Sequence, residues 1–251
     1  MKNSLLQAFI PSFKNIFIWL NAIVMLVGVF HFGWKPEVVV VAYFLETIII
    51  GVIHVFKMLI VLFYSNAQRF DTPTPGNTIT GFAAIPFFIF HYFFFIFIQS
   101  VFIFLMISDI LPKGSTPFNV FGNYAYLLAQ HDVLMAFLAL VFSNVAITLK
   151  DFFLPGIYKE ATVSKLFMQP YVRIFIQQFV TIIAVFFMML IKGSIAAAFM
   201  IIVFRLCTDL IILSASQNSK FKNLLINKLK KNQSEADADQ TEDSINSFLQ
   251  K

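Results

Sequence analysis

A small set of polar side chains interrupts long apolar runs in this chain: Glu46, His54 and Lys57 in one, His91 and Gln99 in a second, Asn144 in a third, Gln177 and Gln178 in a fourth, Arg205 and Asp209 in a fifth. These are residue types that exchange protons, ligate metals or pair as ions. In a hydrocarbon setting a charge costs about 2.5 to 3.5 kcal/mol even on the lenient insertion scale, so each demands a partner or a wet pocket. Arg205 and Asp209 are four apart and share a helical face, and Glu46 and His54 differ by about 80° at 100° per residue.

Depth sharpens the grouping. Counting from the outer end of each run at about 1.5 Å per residue puts Glu46 about 13 Å and Arg205 about 17 Å down their helices, which predicts a buried pair if those helices are neighbours. By the same count His54, Asp209 and His91 lie at about 25, about 23 and about 24 Å, in one layer of the cytoplasmic half. Asn144, Gln177 and Gln178 approach that half as supporting groups.

Four chemistries fit such a set. The first is structural: the polar residues tie helices together or support a partner, at about 0.6 kcal/mol per interhelical hydrogen bond. The second is a proton-linked transporter with Glu46, His54, His91 and Asp209 as the relay, although no pair of Gly- or Pro-broken helices in matching halves accompanies it. The third is a metal-dependent enzyme in which His54, His91 and Asp209 hold a divalent ion such as zinc and leave a fourth position for water. Glu46 would then serve as base and Arg205 as an anion clamp. The fourth is a haem held between His54 and His91. Tyr43 and Tyr92 are expected to fill space or to support Glu46 and His91 by hydrogen bonds, and Lys57 to snorkel to the interface.

The elements that must position these residues follow from composition. Of 251 residues, 59% are hydrophobic and 12% charged, with 34 Phe, a mean hydropathy of +0.82 and a net charge of +5. Soluble chains carry roughly 25% charged residues, so this composition excludes an ordinary soluble domain and predicts an all-α integral membrane protein. Six apolar stretches are of spanning length: Ile16 to Phe30, Val38 to Tyr64, Phe82 to Ile107, Tyr124 to Leu149, Val172 to Ile191 and Ser194 to Ser214. The first is short and could lengthen to include Phe13; it is read as a retained helix, not a cleaved signal. His131 beside Asp132 is expected to cap or begin the fourth helix. The lone Cys207 cannot close an internal disulfide.

A six-transmembrane-helix bundle over residues 1–216 follows. Twelve flanking Lys and Arg residues, Lys14, Lys150 and Arg173 among them, lie at one set of helix ends, against Lys35, Lys113 and Lys192 at the other. That bias places both termini in the cytoplasm of an inner-membrane protein. Residues 217–231 set Phe221, Leu225 and Leu229 among lysines, a basic amphipathic segment suited to anionic lipid headgroups. Residues 232–251 are acidic and are expected to be disordered. Asp151 to Pro170 mixes aromatic and basic residues and would suit either the inner headgroup layer or an ordinary loop. The expected partners are the lipid bilayer and, beyond it, a protein partner or a second copy; no nucleic acid is expected.

The stretches Tyr43 to Met58 (YFLETIIIGVIHVFKM), His91 to Phe95 (HYFFF) and Phe204 to Ile212 (FRLCTDLII), with Trp34 and Pro36 ahead of the second, resemble an uncharacterised bacterial multi-pass membrane family known only as a domain of unknown function. The resemblance runs from Ile16 to Ser214 and implies no activity. The nucleophile loop and late-helix histidine of rhomboid proteases are absent, as is the paired-histidine-and-glutamate helix motif of zinc metalloproteases.

Overall fold

The computed structural model describes residues 9–64, 81–163 and 195–217, with scattered positions between 164 and 194. Among the described residues the chain is all-helical, without strands. Helix α1 spans Ile16–Phe30, as its apolar run predicts. It does not lengthen through Phe13. The buried Asn15 side chain accepts from the Ser12 amide at 2.6 Å and donates to the Ile10 carbonyl at 2.9 Å, closing a turn that fixes the helix start. At the other end Gly33 adopts φ 70°, and Trp34 folds back over Gly28, where a Cβ would stand 2.1 Å from the indole.

Helix α2, Pro36–Tyr64, begins on a proline, whose missing N–H costs nothing in a first turn. Every residue from Val38 to Thr47 is buried, so α2 is the central element, and it packs against α3 (Ala84–Met106), α5 (His131–Thr148) and α6 (Ile195–Gln217). Helix α1 lies against α5 and α6, and the short α4 (Val120–Leu128) against α3 and α5.

The fourth apolar run, expected as one helix from Tyr124 to Leu149, is two. Helix α4 stops at Leu128, Gln130 takes an extended conformation (φ −78°, ψ 128°), and α5 starts at His131 with Asp132 in its first turn. A carboxylate there complements the positive end of the helix dipole, so the polar pair His131 and Asp132 marks a start inside an apolar run. Helix α5 continues as a π-helical turn, Leu149–Phe153, followed by a 3-10 turn at Ile157–Lys159.

One end of the bundle is fastened by cations and aromatic rings. Lys150 Nζ donates to the Phe13 carbonyl at 3.0 Å and lies over the Phe13 and Phe17 rings. Lys57 sits over Phe152, and Tyr64 meets Tyr158 edge-on. The start of α1 and the ends of α2 and α5 therefore share this end.

Among the described residues three helices are long and apolar enough to cross a membrane, Pro36–Tyr64, Ala84–Met106 and His131–Phe153, while Ile16–Phe30 is a shorter apolar helix. The fifth expected span, Val172 to Ile191, is described only at single positions. The basic segment after Gln217 and the acidic tail lie outside the described residues.

Candidate functional site: a buried ion-pair network

Three helices converge on Glu46. Its Oε2 accepts from Arg205 Nη2 of α6 at 3.0 Å, and its Oε1 accepts from Asn144 Nδ2 of α5 at 3.0 Å. Asn144 is held in turn by donating to the Leu140 carbonyl one turn earlier, at 2.9 Å. Arg205 spends Nε on Asp209 Oδ2, also at 3.0 Å, and its guanidinium carbon stands 5.4 Å from the centre of the Tyr43 ring. The helical geometry explains the set. Tyr43 and Glu46 are three apart on α2, Leu140 and Asn144 four apart on α5, Arg205 and Asp209 four apart on α6, so each helix offers one polar face to the others.

Burial is graded across the network. The side chains of Glu46 and Arg205 are 3% and 5% exposed, whereas Asp209 is 27% exposed. The planar guanidinium suits this place, because its fork meets two carboxylates while its face lies on an aromatic ring. Two carboxylates flank one cation, with the amide of Asn144 taking the remaining oxygen of Glu46.

Of the other sequence-derived site residues, the two histidines make contacts of their own and the two glutamines lie outside the described residues. His54 turns to its own helix, with Nδ1 3.0 Å from the Ile50 carbonyl. His91 is exposed on α3, its Nδ1 2.9 Å from the Tyr171 hydroxyl. Asp209 is engaged by Arg205. Among the described residues no three His, Cys, Asp or Glu side chains stand where they could hold one metal ion, so His54, His91 and Asp209 are not brought into a ligand set. Equal depth counted along each helix does not by itself bring them together. Gln177 and Gln178 lie outside the described residues.

Tyr92 supports α2: its hydroxyl donates to the Thr47 carbonyl at 2.8 Å, and its ring lies where a Cβ on Gly51 would be 2.1 Å away. Tyr171 is the partner that reading the sequence missed. It stands 80 residues from His91, at the aromatic-rich entry of the fifth apolar run, where nothing in the local pattern points to α3.

Fold and site together define a class: an all-helical bundle with helices of membrane-crossing length, cross-tied by a buried ion-pair network. The chain belongs to the family described as Family of unknown function (DUF6498), which matches residues 4–237. The resemblance seen in its motifs is borne out at that level. Comparison with curated proteins and with solved structures gives no match.

Proposed function

We propose that this chain is a multi-pass integral protein of the inner membrane, with both termini cytoplasmic, whose buried polar residues are the ties that fix its helix arrangement. The observation that carries this reading is the two-sided engagement of Glu46, which receives Arg205 from α6 and Asn144 from α5 with one oxygen each. Helix faces in lipid gain little from apolar contact with each other, so polar cross-links and close packing must choose the partners. Large apolar side chains turned outward, such as Phe90, Phe94, Phe102 and Phe142, support a hydrocarbon surrounding. The full arrangement has six spans, with the basic residues 217–231 resting on anionic headgroups and the bundle open to a protein partner or a second copy. Alkaline carbonate treatment of membranes tests integration: a chain released into the soluble fraction would defeat the reading.

A second reading, a proton-linked transporter, rests on the graded exposure. Asp209 is partly exposed while its partner Arg205 is sealed against Glu46. A proton arriving at Asp209 would weaken its hold on Arg205 and so alter the charge facing Glu46. Purified protein in liposomes should then collapse an imposed pH gradient, and Asp209→Asn should not. Equal leak from both, or from neither, leaves the structural reading.

A further inference from the structure

Helix α3 carries an exposed stripe of Phe87, Phe94, Ile98 and Phe102, and on that same stripe stands His91. Residues 87, 91, 94, 98 and 102 follow the spacing of one helical face. The imidazole is not loose. It lies parallel to the Phe87 ring at 8° and 5.6 Å, Phe87 stacks in turn on Phe167, and the Tyr171 hydroxyl holds Nδ1 at 2.9 Å. Phe88 meets both Phe167 and Tyr171 edge-on, which anchors the group to the buried side of α3. One nitrogen of an exposed, oriented histidine is thus fixed by Tyr171, and Nε2 is its remaining polar atom.

We propose that His91, Tyr171 and Phe87 form a binding site for the head of a lipid-soluble quinone. Three features select that chemistry. First, His91 lies seven residues into α3, about 10 Å along the helix, which is below the depth of phosphates for a helix that spans the membrane. A neutral acceptor fits that depth, and a quinone carbonyl is one. Second, the stacked column of Phe167, Phe87 and His91 offers aromatic surface to a flat ring, and an ester carbonyl of a phospholipid makes no use of it. Third, the apolar stripe through Phe94, Ile98 and Phe102 provides a track for a long hydrocarbon tail. Such sites pair an apolar lining with a few placed polar groups; where the Tyr171 hydroxyl donates to Nδ1, Nε2 carries the ring hydrogen and donates to the quinone carbonyl. Binding alone is proposed. The site rests on the reading of this chain as membrane-spanning.

Full-length protein in mild detergent is titrated with a short-tailed benzoquinone, and binding is followed calorimetrically. One saturable site is expected, weakened about tenfold or more in His91→Phe, which keeps a ring in the column and loses one hydrogen bond. Tyr171→Phe should weaken binding by a smaller factor, and Phe142→Leu, on an exposed position of another helix, should not change it. If His91→Phe fails to fold, Tyr171→Phe and His91→Gln carry the same comparison. Equal affinity in wild type and both histidine variants, or no saturable binding, overturns the site. So does a His91-dependent preference for phospholipid over quinone in nanodiscs of defined composition. Carbonate extraction reads the membrane assignment separately. Release from membranes with quinone binding intact removes that assignment and keeps the site, and firm retention without quinone binding does the reverse.

Discussion

Glu46 and Arg205 are 159 residues apart in the chain and 3.0 Å apart in the bundle, each almost wholly enclosed. Breaking a buried pair from one side leaves the other charge stranded, at a cost of about 3 to 5 kcal/mol. Arg205→Ala strands Glu46 and releases Asp209, so it should be the most damaging single change in the network. The double variant Glu46→Leu with Arg205→Met should unfold in detergent at a higher temperature than Arg205→Ala alone, because it removes the buried pair together. A double variant as unstable as the sum of the singles would show that the two charges do not act as a pair.

The second prediction concerns how α3 is seated on α2. The Tyr92 ring occupies the space above Gly51, and its hydroxyl reaches the Thr47 carbonyl one turn earlier. Gly51→Ala forces the ring away and should cost about 1 to 3 kcal/mol, the usual range for overpacking. Tyr92→Phe keeps the ring, removes the hydroxyl and its bond to Thr47, and should cost about 0.5 to 1.5 kcal/mol. Adding Tyr92→Leu to Gly51→Ala should recover part of the loss. Unfolding midpoints decide this, and an unchanged Gly51→Ala protein would mean that the close approach is not tight.

Some of this architecture was legible in the residues and some was not. The bounds of α1 coincide with its apolar run, because Asn15 and Gly33 punctuate both ends. The Glu46 and Arg205 pair was expected from depth alone, since two opposite charges in one layer leave few alternatives. Depth cannot give azimuth, however, and three residues counted to one depth, His54, His91 and Asp209, need not form one ligand set. His54 places Nδ1 on the Ile50 carbonyl of its own helix, a contact that spacing alone does not reveal. The break at Gln130 was legible only in part: no Gly or Pro marks it, and the signal was the polar pair His131 and Asp132, where the helix does begin.

The third prediction is the orientation. Leu154 is 81% exposed beside the end of α5, and Phe118 is 73% exposed just ahead of α4. With Cys207→Ala as background, single cysteines at these positions should label from opposite sides of intact cells. A membrane-impermeant maleimide should reach position 118 and not 154, as the proposed cytoplasmic side for Lys150 and Lys159 requires. Labelling at 154 alone would invert the topology, and labelling at both would refute a span between them.

The last prediction tests the clamp at that same end. Lys150 Nζ donates to the carbonyls of Phe13 and Lys14, at 3.0 and 3.4 Å, while lying over the rings of Phe13 and Phe17. Those carbonyls belong to the turn that Asn15 closes before α1, so one cation fastens the first turn to the end of α5. Its side chain is 16% exposed, and the nearby Asp151 carboxylate, at 3.4 Å, is more open and contributes little. Lys150→Met keeps the apolar stem and deletes the charge, removing its hydrogen bonds and its contacts with the two rings together, the charge-assisted hydrogen bond alone being worth about 1.5 to 3 kcal/mol. Local opening should become easier, with amide exchange from Ser12 to Trp19 faster by about fivefold or more. Amides between Ala136 and Leu140 in the middle of α5 should exchange unchanged, which separates a local release from general destabilisation. Unaltered exchange at Asn15, Ile18 and Trp19 would mean that the Asn15 turn holds the start of α1 without help from Lys150.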